Sequence, residues 1–263
     1  MRIIVCVKQV PGTNKVEVDP ETGVLKRDGV ASKLNPYDLF ALETAFSLAA
    51  QTGATVSTIT MGPPQAKSAL EETVWMGADD AVLLSDRRFA GADVAATSYA
   101  LASGIRQMGD CSLIICGKQT TDGDTAQVGP EMAERLGMEH VANVIEVLEL
   151  TDKSITVRVD LDSMVQTLKM ELPCLITMDK DVNTPRLPSY LRKKQTAGED
   201  RIRIWGAGDL EGVDEKKLGL KGSPTQVERI FPPEKSSSRE MLRGTDPELA
   251  EQLYGILHGR KFV

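Results

Sequence analysis

The chain has 263 residues, 41% of them hydrophobic and 26% charged, and a formal net charge of −7. That length can bury a full core, while the acidic balance argues against a nucleic-acid surface, which needs a basic excess. No apolar run approaches the roughly 20 residues that cross a bilayer, so membrane insertion is not expected.

The N-terminus runs directly into a strand-like segment, Arg2 to Val7, with no signal-peptide pattern. The four cysteines, Cys6, Cys111, Cys116 and Cys174, are widely spaced and read as reduced thiols, most of them in apolar runs. Together these features point to a cytoplasmic protein. Asn35 reads as the N-cap of a helix from Pro36 to Ala50, with Pro36 at its first position. Strand-like Thr55 to Thr60 follows, then a helical pattern from Gln65 to Met76. Ala81 to Leu84 reads as a strand, Ala92 to Met108 as a helix and Ser112 to Cys116 as a strand. Strands alternating with crossover helices predict a doubly wound, mostly parallel sheet covered on both faces. After Gly137 the connections shorten. Val141 to Leu148, Ser154 to Leu161, Met164 to Met170 and Cys174 to Met178 predict antiparallel or mixed additions to the sheet. The compact nucleotide-binding domain is expected to span residues 1–185. Residues 186–263 contain a basic cluster at Arg192 to Lys194, a Gly/Asp-rich span and a final helix candidate, Pro247 to His258. Their apolar density is too low for a separate core, so the segment is expected either to be disordered or to lie along another protein, and its retained apolar residues favour the docked arm.

The segment from Gly117 to Glu131 carries the most chemical information. Small residues between the end of a strand and the helix beginning at Met132 collect unpaired N–H groups at the positive end of a helix dipole, which suits a phosphate. Asp122 and Asp124 read as turn or capping residues, with Asp124 and Gln127 spaced for a capping box. A diphosphate beside these carboxylates needs backbone N–H groups of Gly123 to Val128 to face it. Pro130 fits at a first helical position but costs stability within a turn. Two histidines, and no Gly-x-Ser-x-Gly or P-loop pattern, leave no catalytic side chains to assign and no metal site. Other loops fall on the same sheet edge, where open α/β sheets take ligands. They are Cys6 to Pro11, Asn35 to Asp38 and Thr60 to Pro64. The dinucleotide fingerprint Gly-x-Gly-x-x-Gly is absent from these loops.

Val7-Lys8-Gln9-Val10-Pro11, Asn35-Pro36-Tyr37-Asp38, Met61-Gly62-Pro63, Met76-Gly77-Ala78-Asp79, Gly117-Lys118-Gln119 and Asp122 to Gly129 occur together and in order. In this the chain resembles the β subunit of electron transfer flavoproteins over essentially its whole length. The resemblance implies an adenine-nucleotide α-hydrolase-like fold with an extended C-terminal arm that wraps an FAD-carrying α subunit. It implies a nucleotide held by Cys6, Val7 and Lys8, by Asn35, Pro36, Tyr37 and Asp38, and by Met61 and Gly62. The loop contacts implied are Asp122, Gly123, Asp124, Thr125, Ala126, Gln127, Val128, Gly129 and Pro130.

In housekeeping members that nucleotide is AMP. In electron-bifurcating members it is a second FAD, which takes a hydride from NADH and splits the electrons. One of these goes to a ferredoxin or flavodoxin, the other through the α-subunit FAD to a flavin-dependent dehydrogenase. The run Asp122-Gly123-Asp124-Thr125-Ala126-Gln127-Val128-Gly129-Pro130-Glu131 is similar to the bifurcating group, and Gly123 and Ala126 remove bulk where a diphosphate would pass. Tyr37 and Asp38 are candidates for lining the flavin. Leu191, before Lys193-Lys194-Gln195-Thr196-Ala197, falls where the family anchors its dehydrogenase. The surrounding letters depart from the family pattern, which keeps both acyl-CoA and lactate dehydrogenase partners open. A stand-alone adenine-nucleotide-binding or sensing protein is the alternative from another class.

Overall fold

Alternation along the first strand sets the architecture. In the computed structural model, which describes residues 1–12, 32–228, 239 and 241–263, β1 (Arg2–Cys6) turns Ile3 and Val5 to one face. Ile4 and Cys6 turn to the other, and all four are buried. A strand buried on both sides needs a helical layer on each. The next elements are β2 (Gln9–Pro11), β3 (Ser32–Leu34), α1 (Pro36–Thr52), β4 (Thr55–Met61), α2 (Lys67–Met76), β5 (Asp80–Leu84), α3 (Val94–Met108) and β6 (Leu113–Gly117). They are followed by α4 (Val128–Leu136), β7 (Glu139–Leu150), β8 (Ser154–Asp160), β9 (Val165–Glu171), β10 (Cys174–Met178), α5 (Tyr190–Gln195) and β11 (Ile202–Trp205).

Among the described residues the strands form a nine-stranded sheet, ordered β11-β5-β4-β1-β6-β10-β7-β8-β9, and a separate β2-β3 pair. Pairings from β11 across to β7 are parallel, and β8 and β9 extend the sheet antiparallel. This is the mostly parallel sheet with antiparallel additions that the strand pattern predicts. Leu42 and Phe46 of α1 and Leu70 and Val74 of α2 cover the face of Ile3 and Val5. Leu101 and Ile105 of α3 and Met132 of α4 cover the face of Ile4 and Cys6. The helix ends follow local rules. Asp93 accepts the Ala96 N–H at 3.0 Å to start α3, and Gly53, left-handed at φ +70°, closes α1 through its N–H to the Ala49 carbonyl.

The chain departs from the sequence expectation after Pro185. The compact unit does not end at Asp181–Pro185 but continues to Glu228, and a second unit holds the described residues from 239 onward. Residues 186–228 add little apolar mass, yet they place it on a core that already exists. The Arg192 guanidinium donates to the Val74 and Ala78 carbonyls at 3.1 and 3.2 Å. β11 joins the sheet edge beside β5. Ala207, Leu210 and Leu218 are buried against the α3 side. Low density therefore does not mean a detached arm where the few apolar residues find a ready-made surface. In the second unit, α6 (Asp246–Gly259) begins with Glu248 accepting the Thr245 N–H at 2.8 Å, and its Leu253 and Tyr254 are exposed. No described helix is long and apolar enough to cross a membrane.

Candidate functional site

The strand order locates the site. From β1 the chain builds outward to β4 and β5, then returns through α3 to β6 on the opposite side of β1. Connections leaving the carboxyl ends of β1 and β6 diverge, which opens a crevice there. Lys8 after β1, Asn35 to Asp38 at the start of α1, and the loop after Gly117 all converge on it.

Asp38 ties these segments together. Its buried carboxylate accepts the Lys8 N–H on Oδ2 at 2.7 Å and the Asn35 amide on Oδ1 at 2.9 Å. Burial raises its pKa to about 7, against the opposing pull of these donors and the Lys8 charge. Asn35 is fully buried and extends the network. Its amide nitrogen also donates to the Gln119 carbonyl at 2.8 Å, and its oxygen accepts the Thr121 N–H at 3.3 Å. This corrects its expected role. Asn35 occupies the N-cap position and Pro36 the first turn, but the side chain makes no cap bond, because both its ends are committed to Asp38 and the loop. Gly117 permits the approach of α1 to β6. A Cβ there would lie 2.7 Å from the Tyr37 carbonyl carbon and 2.8 Å from the Tyr37 Cβ.

The loop itself is arranged differently from its sequence reading. Asp122 grips the Lys8 ammonium at 2.8 and 2.9 Å, and Asp124 accepts from the Gln119 side chain, so both carboxylates are engaged within the protein. Although burial opposes it, the Lys8 ammonium holds the Asp122 carboxyl below its usual range. The expected Asp124–Gln127 capping box does not form, because Gln127 itself is the residue before α4 and no side chain caps that helix. The left-handed residues are Asp124 (φ 54°) and Ala126 (φ 56°), not Gly123. The Gly123 and Asp124 N–H groups turn inward to the Thr120 hydroxyl and carbonyl at 3.3 and 3.0 Å. The amides available to a ligand are therefore displaced toward the helix: the N–H groups of Thr125 to Gly129 find no partner among the described residues. Pro130 is the third residue of α4, where an N–H would be unpaired in any case, and the first bond of the helix runs from the Glu131 N–H to the Gln127 carbonyl at 3.0 Å.

Other predicted residues serve the site indirectly. Gly129 is buried against β10, where an added Cβ would lie 2.8 Å from Thr177 Cγ2. Gly129→Ala should destabilise the fold by about 1–2 kcal/mol, overpacking outweighing the gain in helix propensity, as a urea midpoint would measure. An unchanged or raised midpoint would count against this close helix–sheet contact. Cys6 and Val7 are buried beneath the crevice. Cys6 lies in register with Cys116 on β6, and that neighbour together with burial raises its thiol pKa. Val128 is half-buried against the same core, and Pro36 and Tyr37 at the start of α1 are half-buried. Met61 and Gly62 end β4 on the same edge but outside the Asp38–Asn35 network, and Gly62 donates to the Leu84 carbonyl at 3.0 Å. Lys118 turns away to Asp179 at 3.0 Å. Sequence reasoning overlooked Thr120 and Thr121, whose roles use backbone and hydroxyl groups; their only signal is their place just after a strand that ends in glycine. Leu191 stands on α5, well exposed beside Tyr190, while the Lys193 ammonium lies 4.3 Å over the Trp75 ring.

An open parallel sheet with diverging loops and a run of unpartnered amides at its switch point defines a protein of the doubly wound α/β class with a candidate ligand site. Residues 22–210 match the electron transfer flavoprotein domain family. The chain is 45% identical to the electron transfer flavoprotein subunit beta of Clostridium acetobutylicum, over 100% of both chains. It is also 45% identical to the caffeyl-CoA reductase-Etf complex subunit CarD of Acetobacterium woodii, over 93% of each chain. The same identity relates it to Protein FixA of Azorhizobium caulinodans, over 89% of this chain and 85% of the relative. The chain belongs to the electron transfer flavoprotein family and is of the β-subunit type.

Proposed function

We propose that the chain is the β subunit of a heterodimeric, cytoplasmic electron transfer flavoprotein that holds FAD in the β1–β6 crevice and bifurcates electrons from NADH. The acceptors are a low-potential carrier of the ferredoxin or flavodoxin type and, through the FAD of an α subunit, a flavin-dependent dehydrogenase. The observation that supports this most is the run of unpartnered amides from Thr125 to Gly129, beside carboxylates already engaged by Lys8 and Gln119. That donor set fits a diphosphate, because neutral N–H groups at a helix start attract it.

When bound, the flavin supplies hydride acceptance and one-electron transfer, chemistry that belongs to the cofactor. The residues of this chain position it. Asp38 and Asn35 fix the three segments of the crevice relative to one another, Tyr37 lines its α1 side, and the amides of Thr125 to Gly129 hold the phosphates. The compact unit that runs to Glu228 supplies the nucleotide domain in this reading. Leu191, exposed with Tyr190 and Leu187, supplies a dehydrogenase contact, and α6 with its exposed Leu253 and Tyr254 supplies a contact for the α subunit. The relative CarD belongs to a complex with an acyl-CoA-type reductase, which favours that partner class over a lactate type.

Acid release of nucleotide from the co-purified heterodimer tests the reading. Two FAD and no AMP per heterodimer are expected. One FAD with one AMP would replace bifurcation by single-flavin electron carriage.

A further inference from the structure

Lys8 and Asp122 form a contact that the nucleotide site does not require for its own construction. The Lys8 backbone is fixed on both sides, its N–H by Asp38 and its carbonyl by the Asn35 N–H at 2.9 Å. Its side chain is under no such constraint. It is 44% exposed and reaches across the mouth of the crevice to both oxygens of Asp122, which lies 114 residues away. Lys118, the lysine after β6, turns to Asp179 at the end of β10, and that pair is more buried, at 29% and 18% side-chain exposure. Lys8 is therefore the better placed of the two to change partner. Asp122 sits at the head of the loop that carries the unpartnered amides. Its negative charge lies where an incoming phosphate would meet the same ammonium.

We propose that Asp122 is an internal counter-ion that occupies Lys8 until a nucleotide phosphate displaces it, so that the pair sets how strongly the crevice selects phosphorylated ligands. This rests on the nucleotide-site reading above. The exchange is of one ion pair for another, with no bond made or broken. An exposed pair of this kind is weak enough to open, and the competition it imposes is screened by salt. The neutral part of the ligand gains nothing from Lys8, so the effect is confined to ligands that carry phosphate.

The test uses the full chain stripped of nucleotide, with adenosine, AMP, ADP and FAD as calorimetric probes at low ionic strength. Asp122→Asn should tighten binding of AMP, ADP and FAD about five- to tenfold and leave adenosine unchanged. Asp122→Ala should repeat the gain, since charge is its cause. Lys8→Gln should weaken the phosphorylated ligands to a similar degree, and adding Asp122→Asn to it should restore nothing. Raising the salt to 0.5 M should narrow the difference between wild type and Asp122→Asn. If the wild type binds AMP, ADP or FAD and Asp122→Asn binds them no more tightly, the exchange is overturned while the site stands. A full gain from Asp122→Asn in the Lys8→Gln background would also overturn it, since Lys8 would then play no part. If the wild type binds none of the four probes, the site reading falls and the exchange falls with it.

Discussion

Asp38→Ala is expected to empty the crevice of nucleotide and to destabilise the fold by roughly 3–5 kcal/mol, since each buried donor left without an acceptor costs about 1–3 kcal/mol. The Lys8 N–H and the Asn35 amide both lose the same acceptor. Against the 5–15 kcal/mol that typically separates folded from unfolded chains, that is a large share. Asp38→Asn keeps the shape but turns an NH2 toward donors, so it should fall between wild type and Asp38→Ala. A urea midpoint and retained nucleotide measure both effects. Wild-type values for Asp38→Ala would rule out the central role given to this carboxylate.

The same residue predicts a pH dependence. The folded chain keeps Asp38 protonated up to about pH 7, whereas an ordinary aspartate releases its proton near 3.8. Between those values the folded state binds the extra proton, so the contribution of Asp38 to stability falls as pH rises through the window. The slope is at most about 1.4 kcal/mol per pH unit. The groups facing it are the Lys8 ammonium, which opposes the rise, and the Cys6 thiol, which stays neutral in this range because its own pKa is raised. Stability curves of wild type and Asp38→Asn between pH 4 and 7 should differ by this slope; parallel curves would show that Asp38 does not titrate there.

Gly117→Ala should cost about 1–3 kcal/mol, because the new methyl meets both the Asp38 carboxylate, which its hydrogen bonds hold in place, and the Tyr37 backbone. The Tyr37 carbonyl carbon lies 2.7 Å from the position the methyl would take, so the start of α1 must retreat from β6. That movement pulls at the Asp38 and Asn35 bonds, and nucleotide content should drop with stability. Stability within about 0.5 kcal/mol of wild type, the range of an ordinary surface change, together with full nucleotide content, would contradict the close approach.

Much of this fold is written in local periodicity. Ile3 and Val5 against Ile4 and Cys6 predict a strand covered on both faces, and the helices expected at Pro36 to Ala50 and Ala92 to Met108 end within two residues of α1 and α3. The short elements β2, β3, α5 and β11 were not legible, because three to six residues are too few to carry a period. The segment from 186 to 228 was misjudged for a related reason. Ala207, Leu210 and Leu218 contribute little to local density, and only the core that receives them makes them significant.

The sequence by itself determined the layered α/β class, the sheet edge proposed for a ligand and the loop from Gly117 to Glu131 as its focus, since each follows from neighbours along the chain. Only the tertiary structure decided which groups face that edge. Asn35 gave up its cap for Asp38 and Gln119, Asp124 gave up its capping box for the Gln119 side chain, and the open amides run from Thr125 to Gly129 rather than from Gly123 to Val128. A polar side chain bonds whichever partner the fold brings within about 3 Å, and here those partners lie as far as 114 residues away.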